Sequence, residues 1–321
     1  MEEKSKKHLI VGFTGGIGRA TAKALVEKGE SVIVFSRDRE KTEKYAEGLN
    51  VEIVSGDASD LNDLSRAAKD ASTLYYCVNV PYPMWYSQSR ELLKASLQIA
   101  KQNQMKFIFP GNVYVYGKPQ FNPVTEGHPH YPNSRKGRIR VEMENMIIQA
   151  GIKENLDYSI VRFPDFYGPY VVNGFSEQIF INALKGKKLK WFGDKNVKTE
   201  FIFIEDAGKA MAIAGLSEKS NKQHFNVPGF SPITAKHFFE KLISLSGKKS
   251  SYSVLNSSFL VSMAGLFNKM AYEFQEMMYL KQEELLLTGE LFKYTFGQLP
   301  ATDYETGIKK TFDWVKLFYK P

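Results

Sequence analysis

Three glycines, Gly12, Gly15 and Gly18, stand three residues apart in "GFTGGIGRATAKALVEKG", directly after an apolar run and before a helix-like stretch. Glycine lets the chain turn sharply and bares the backbone to an anion. The first N–H groups of the helix then face that anion. The chemistry implied is binding of a nucleotide pyrophosphate, with Thr14, Gly16 and Ile17 completing the loop. The next apolar run ends in "VFSRDREK". A site that grips a ribose diol places a carboxylate there. Ser36 and Arg37 stand in that place instead, with Arg39 and Lys41 behind and Arg19 just past the loop. A guanidinium clamps a 2′-phosphate through two N–H donors, where a carboxylate would repel it. NADP(H) is therefore expected over NAD(H), with Asp38, one residue late, as the counter-indication. Asp57 and Ala58, in "SGDASD", are placed to meet the adenine, while Asp60 suits the cap of the next helix.

A second stretch, "SRKGRIRVE" (134–142), carries Arg135, Lys136, Arg138 and Arg140. On a helix, Ile139, Met143, Met146 and Ala150 make one apolar face. Arg138 with Glu142, and Arg140 with Glu144, are spaced as i,i+4 ion pairs on other faces. A solvated face does not explain Gly137, which costs about 1 kcal/mol against alanine in a helix. The expectation is that a cofactor ribose approaches its backbone. No His, Cys or acid has metal-ligand spacing.

These residues need a scaffold, and the chain supplies an alternating one. Apolar runs at 8–13, 31–35, 51–56, 73–80, 106–111 and 158–163 read as buried strands. Helical patterns fall between them at about 17–28, 38–48, 60–70, 87–103 and 134–150. This alternation predicts a Rossmann-type, doubly wound parallel sheet with helices on both faces. It occupies residues 1–164, with 200–229 packing back onto it. From 165 to 321 a smaller α/β lobe is expected to bind substrate, with helices at about 234–246, 258–286 and 302–318. Ligands in such folds sit beyond the carboxyl ends of the strands.

The bulk numbers agree with a soluble chain of this size. It has 321 residues, 43% of them hydrophobic, and a net charge of +8. No run of five like charges appears, so an anionic small ligand is expected and nucleic acid is not. The longest uncharged apolar run, 256–268, is too short to span a bilayer, so no membrane partner is expected. The lone Cys77 excludes an internal disulfide, reads as a buried thiol and suits a reducing cytoplasm.

The glycine loop, "GDASD", "VYVYG" (113–117), "RFPDFYGP" (162–169) and "FIFIEDAGKAMAIA" (201–214) together resemble the extended short-chain dehydrogenase/reductase family, the NAD-dependent epimerase/dehydratase group. The resemblance covers almost the whole chain. It implies cofactor contacts at the glycine loop, Ser36, Arg37, Asp57, Ala58, Asn79, Arg138 and Phe163. It also implies a homodimer through paired helices. In that family a Ser or Thr, then a Tyr and a Lys four apart on a helix, handle the proton that accompanies hydride transfer.

This chain departs at all three places. The hydroxyl position falls on Asn112. Aligning the helix by its usual acid, taken as Glu142, puts Ser134 in the Tyr position and Arg138 in the Lys position. Tyr114 and Tyr131 are the alternative phenols, with His128 and His130 nearby. Tyr116, Tyr167 and Lys198 are the candidate substrate contacts. Sugar-nucleotide enzymes of the family often have an arginine near Lys198 and Thr199, and its absence counts against a nucleotide sugar. Two functions stay open. One is an NADP-dependent reductase, epimerase or dehydratase with a remodelled proton donor, acting on a small oxygenated substrate. The other is a non-catalytic NADP(H) sensor or regulator.

Overall fold

A computed structural model describes residues 7–172, 176–256, 273 and 275–319. The first half alternates strand and helix: β1 (Lys7–Val11), α1 (Gly16–Val26), β2 (Val32–Ser36), α2 (Arg39–Ala46), β3 (Glu52–Ser55), α3 (Leu61–Ala68), β4 (Ala71–Tyr76), α4 (Trp85–Gln102), β5 (Lys106–Asn112), α5 (Arg135–Lys153) and β6 (Tyr158–Phe163). The expected strands and helices match these to within a few residues. The apolar run at 73–80 overshoots furthest, because its last four residues lie beyond β4.

The second half begins with β7 (Asp165–Tyr167), α6 (Ser176–Leu184), β8 (Leu189–Phe192), β9 (Lys198–Thr199) and β10 (Phe201–Phe203). It continues with α7 (Ile204–Leu216), β11 (Gln223–Asn226), β12 (Ile233–Thr234), α8 (Ala235–Ser246) and β13 (Tyr252–Leu255). Helices Glu290–Phe296 and Tyr304–Phe318 follow. The first of these was not anticipated. The helix expected at 258–286 lies mostly outside the described residues. Where it is described, residues 273 and 275 are helical and Met278–Lys281 is a 3₁₀ turn.

Seven strands form one sheet in the order β11-β6-β5-β4-β1-β2-β3, and every neighbouring pair is parallel. The order reverses beside β1, which opens a crevice at the carboxyl ends of β1 and β4. Alternate residues of each strand serve opposite faces. Leu9, Val11, Phe107 and Phe109 pack under α3, α4 and α5. Ile10, Val34, Ile108 and Val161 pack under α1 and α7. α7 and β11 come from the second half yet complete the sheet domain. A Cβ on Gly208 of α7 would lie 2.4 Å from the Ala20 carbonyl carbon of α1, so the two helices touch backbone to backbone. The other lobe has its own core of Phe180, Trp191, Phe238, Leu242 and Phe312.

Candidate active site

The turn after β1 is built from backbone. Gly12 has φ +91°, and a Cβ there would lie 2.7 Å from both the Cys77 carbonyl carbon and the Val78 nitrogen. A Cβ on Gly18 would lie 2.6 Å from the Gly12 oxygen. Only glycine satisfies both positions, and the loop thus lies flat against the end of β4. Gly15 caps α1 without any side-chain hydrogen bond, and no acid sits in the first turn. The leading N–H groups and the positive end of the helix remain available to an anion. A dinucleotide pyrophosphate fits this cradle.

The end of β2 separates the roles of its polar residues. The Asp38 carboxylate accepts the Lys41 N–H at 2.9 Å and caps α2. The Ser36 hydroxyl is buried, 2.6 Å from Thr42 Oγ1, and therefore shapes the turn instead of facing a ligand. Arg19 donates Nε–H to the Tyr45 carbonyl at 2.8 Å and stacks 3.9 Å over the Tyr170 ring, which removes it from phosphate recognition. Arg39 pairs with Glu43. Arg37 is exposed with no hydrogen bond or ion pair among the described residues, and its charge reaches Asp57, whereas Lys41 lies over the Tyr45 ring. Asp57 accepts the Ser59 N–H and hydroxyl on one oxygen, at 2.8 and 2.7 Å, and these bonds hold its pKa down. Its second oxygen remains an acceptor. Asp60, not Asp57, caps α3.

Beyond β5 the chain builds a cleft of phenols and ion pairs. Asn112 Oδ1 accepts the Tyr114 N–H at 3.1 Å and starts a 3₁₀ turn. That turn carries Tyr114, whose hydroxyl lies 2.9 Å from that of Tyr82. Burial pushes the Tyr82 phenol up to about 12 and Tyr114 well above its ordinary value. Both stay protonated at neutral pH. Lys136 Nζ lies 4.8 Å from the centre of the Tyr82 ring and donates to Glu273 Oε2 and Glu276 Oε1, each at 2.5 Å. Lys281 bonds Asp165 at the start of β7. Tyr279 faces Ser134. Among the described residues no cluster of His, Cys, Asp or Glu could hold a metal ion.

Residues 8–227 match the family model described as the NAD dependent epimerase/dehydratase family. The chain belongs to this family. It is 27% identical over 242 residues to a UDP-N-acetyl-alpha-D-glucosaminuronate decarboxylase of Bacillus cytotoxicus, covering 69% of this chain and 74% of that protein. It is 24% identical over 220 residues to a putative UDP-glucose 4-epimerase of Methanocaldococcus jannaschii, covering 64% and 72%. Its fold superposes with a TM-score of 0.81 on the UDP-glucuronic acid 4-epimerase of Bacillus cereus, solved with UDP-glucuronic acid and NAD, at 19% identity over 98% of this chain and all of that one.

For a member of the epimerase/dehydratase family, α5 holds the decisive register, and here the structure corrects the sequence alignment. Glu142 is exposed and pairs with Arg90 at 2.5 Å. Glu144 is fully buried and pairs with Arg162 of β6 at 2.7 Å. Taking the buried acid as the reference shifts the helix by two residues. Lys136 then stands in the Tyr position and Arg140 in the Lys position. Both side chains point inward, whereas Arg138 is exposed and bonds nothing among the described residues. The expected pair of Arg138 with Glu142 is withdrawn, since that carboxylate bonds Arg90. So is the Arg140–Glu144 pair, since that carboxylate belongs to Arg162.

Several other expectations change. Ser134 is the N-cap of α5, its Oγ accepting the Gly137 N–H at 3.0 Å, so it is no proton donor. Tyr131 precedes the helix and is 61% exposed. Gly137 is required by the protein itself: a Cβ there would lie 2.6 Å from the Tyr114 carbonyl oxygen, so no ribose explains it. Tyr116 is fully buried, donating to Asn226 Oδ1 at 2.6 Å and accepting from Arg162 at 3.1 Å, and cannot touch substrate. Tyr167 is 1% exposed among Phe180, Phe203 and Phe238 and is core. Phe163 is fully buried, so its side chain faces the core. Lys198 is exposed on β9 opposite Thr234. His128 is buried and bonded to the Gln120 N–H, and His130 packs on Tyr116, so both serve the loop. Cys77 is buried, and burial pushes its thiol up to about 12. Asn79 remains exposed at the mouth of the crevice. Sequence reading missed Tyr82 and Trp85, which carry no motif. Their signal was aromatic density in "PYPMWY" just past β4.

Proposed function

We propose that this family member is an NADP(H)-preferring oxidoreductase, epimerase or dehydratase acting on a small oxygenated substrate. Its proton donor is the Tyr114–Tyr82 hydroxyl pair. The observation that carries the cofactor choice is the unengaged Arg37 at the end of β2, beside an Asp38 that is committed to capping α2. When bound, the nicotinamide supplies or accepts hydride. The chain's own residues handle the proton. Tyr114, kept neutral by burial, donates to a substrate oxygen, and Tyr82 replenishes it across 2.9 Å. The Tyr114 hydrogen bond and the Arg140 charge favour negative charge on the Tyr82 phenol, against burial, Asp165 and Glu276.

A second reading is a sensor that binds NADP(H) without turnover. Lys136, held between two carboxylates where the family has its tyrosine, favours it.

The deciding experiment has two parts. In calorimetry, Arg37→Asp should weaken NADPH by about 10- to 100-fold, the worth of a charge-assisted phosphate contact, and NADH by much less. Equal losses would remove the 2′-phosphate argument. Absorbance should then report NADPH oxidation with a panel of aldehydes, ketones and quinones. Tight binding with no turnover across that panel selects the sensor.

A further inference from the structure

Six lysines gather at one end of the second lobe. Lys185, Lys187, Lys188 and Lys190 lie in the turn between α6 and β8 and at the start of that strand. Lys248 and Lys249 lie in the turn between α8 and β13. The two turns touch, although they are 63 residues apart in sequence. A Cβ on Gly186 would lie 3.3 Å from the Lys249 oxygen and 3.7 Å from Lys248 Cβ. The Ser250 hydroxyl donates to the Lys187 oxygen at 2.5 Å, and β8 and β13 then run side by side in parallel. All six side chains are exposed, and none bonds an acid among the described residues. Neither turn contains an acid. Tertiary structure thus assembles a block of like charge that no continuous run displays.

Local roles do not absorb these charges. A lysine just past a helix complements the negative end of its dipole, which accounts for Lys185 after α6 and Lys248 after α8. The effect fades within a turn and leaves the other four. Charges this crowded repel one another within a screening length of about 8 Å. The anionic small ligand expected from the net charge of +8 belongs in the cleft, and the lysines face away from it. Gly193, just past the far end of β8, packs on Lys281, which bonds Asp165 beside the Tyr82 phenol. The four residues of β8 put roughly 13 Å between the two ends.

The surroundings narrow the kind of polyanion. α6 and α8 both end here, so this surface receives the negative ends of two helices and not the positive ends that hold a phosphate. Neither turn has an arginine to fork a phosphate. None of the exposed large apolar side chains lies in either turn, so nothing there stacks on a base or enters a bilayer. Turns at the end of a layer are convex. They meet a flat sheet of charge together, whereas a duplex curves away from them. We propose that this surface docks on an anionic phospholipid membrane, its lysines hydrated among the headgroups and nothing inserted. That no described helix is long and apolar enough to cross a membrane does not bear on adsorption at its surface. The proposal is independent of the chemistry in the cleft.

The test is sedimentation of the full chain with vesicles of phosphatidylcholine alone, or of phosphatidylcholine with about one third phosphatidylserine. The chain should bind only the anionic vesicles at about 50 mM salt and be released by about 500 mM. Each lysine near such a surface is worth about fivefold. The combined variant Lys187→Ser, Lys188→Ser, Lys248→Ser and Lys249→Ser should therefore lose at least about 100-fold and melt no lower than wild type. Should it fail to fold, Lys188→Ser alone reads the expected fivefold loss. A control combining Lys28→Ser, Lys69→Ser, Lys153→Ser and Lys293→Ser removes as much charge from exposed positions elsewhere, and should lose less than about fivefold. Equal binding to the two vesicles, binding to neither, or equal losses in the two combined variants overturns the proposal. So does binding of a DNA duplex of about 20 base pairs through the same four lysines under conditions where the anionic vesicles stay free, which would assign the surface to nucleic acid.

Discussion

The Glu144 carboxylate of α5 receives three hydrogen bonds from Arg162 of β6: Nε to Oε1 at 3.1 Å, Nε to Oε2 at 3.2 Å and Nη2 to Oε2 at 2.7 Å. Both side chains are fully buried. The pair bolts the helix to the sheet at one rotation. It therefore decides that Lys136 and Arg140 enter the cleft while Arg138 and Glu142 face water. Glu144→Ala should cost about 3–5 kcal/mol in urea unfolding, because it leaves Arg162 buried and uncompensated. Glu142→Ala, which breaks only the exposed pair with Arg90, should cost no more than about 1 kcal/mol. Equal losses would mean that the pair does not set the helix.

Gly137 offers a test in which propensity and packing disagree. Alanine is the better helix former by about 1 kcal/mol. Its Cβ would meet the Tyr114 oxygen at 2.6 Å and Pro132 Cβ at 2.8 Å. Gly137→Ala should therefore destabilise by about 1–3 kcal/mol net. Thermal unfolding reads this directly, and a stabilised variant would show that the close approach is not needed.

Glu200, between β9 and β10, is 4% exposed, and its Oε2 accepts the Leu287 N–H at 3.1 Å. Burial pushes its carboxyl up to about 8 from the usual 4.5. The folded state thus holds a proton that the unfolded chain gives up, and stability from this site falls as pH rises through that window. Glu200→Gln keeps the acceptor and removes the titration. Its melting temperature should match wild type near pH 4.5, exceed it increasingly up to pH 8, and keep that margin above. A constant difference across the range would refute the assignment.

Tyr114→Phe and Tyr82→Phe separate chemistry from binding. Each should leave NADPH affinity unchanged and lower kcat by about 10²–10⁴, the usual worth of a positioned acid. Tyr131→Phe and Tyr116→Phe should leave the chemical step intact, the first because it is exposed and the second because it is sealed in the Arg162–Asn226 network. A kcat loss confined to Tyr131→Phe would return the proton donor to the loop before α5.

By itself the sequence determined the sheet domain and the place of its nucleotide loop. Strand alternation, glycine spacing and helix periodicity are local properties, written in consecutive residues and enforced by backbone sterics and burial. The place of Arg37 was legible for the same reason, since it sits one step past β2. The register of α5 was not. Glu142 and Glu144 are chemically equal, and only the approach of Arg162 from β6 shows which one is buried. The same holds for Tyr116 and Tyr167, which read as cleft residues until Asn226 and the second lobe closed over them. Tyr82, Trp85 and Arg140 gained their meaning from one another across separate elements. Long-range packing, which no local pattern encodes, settled which polar groups pair with one another and which face the cleft.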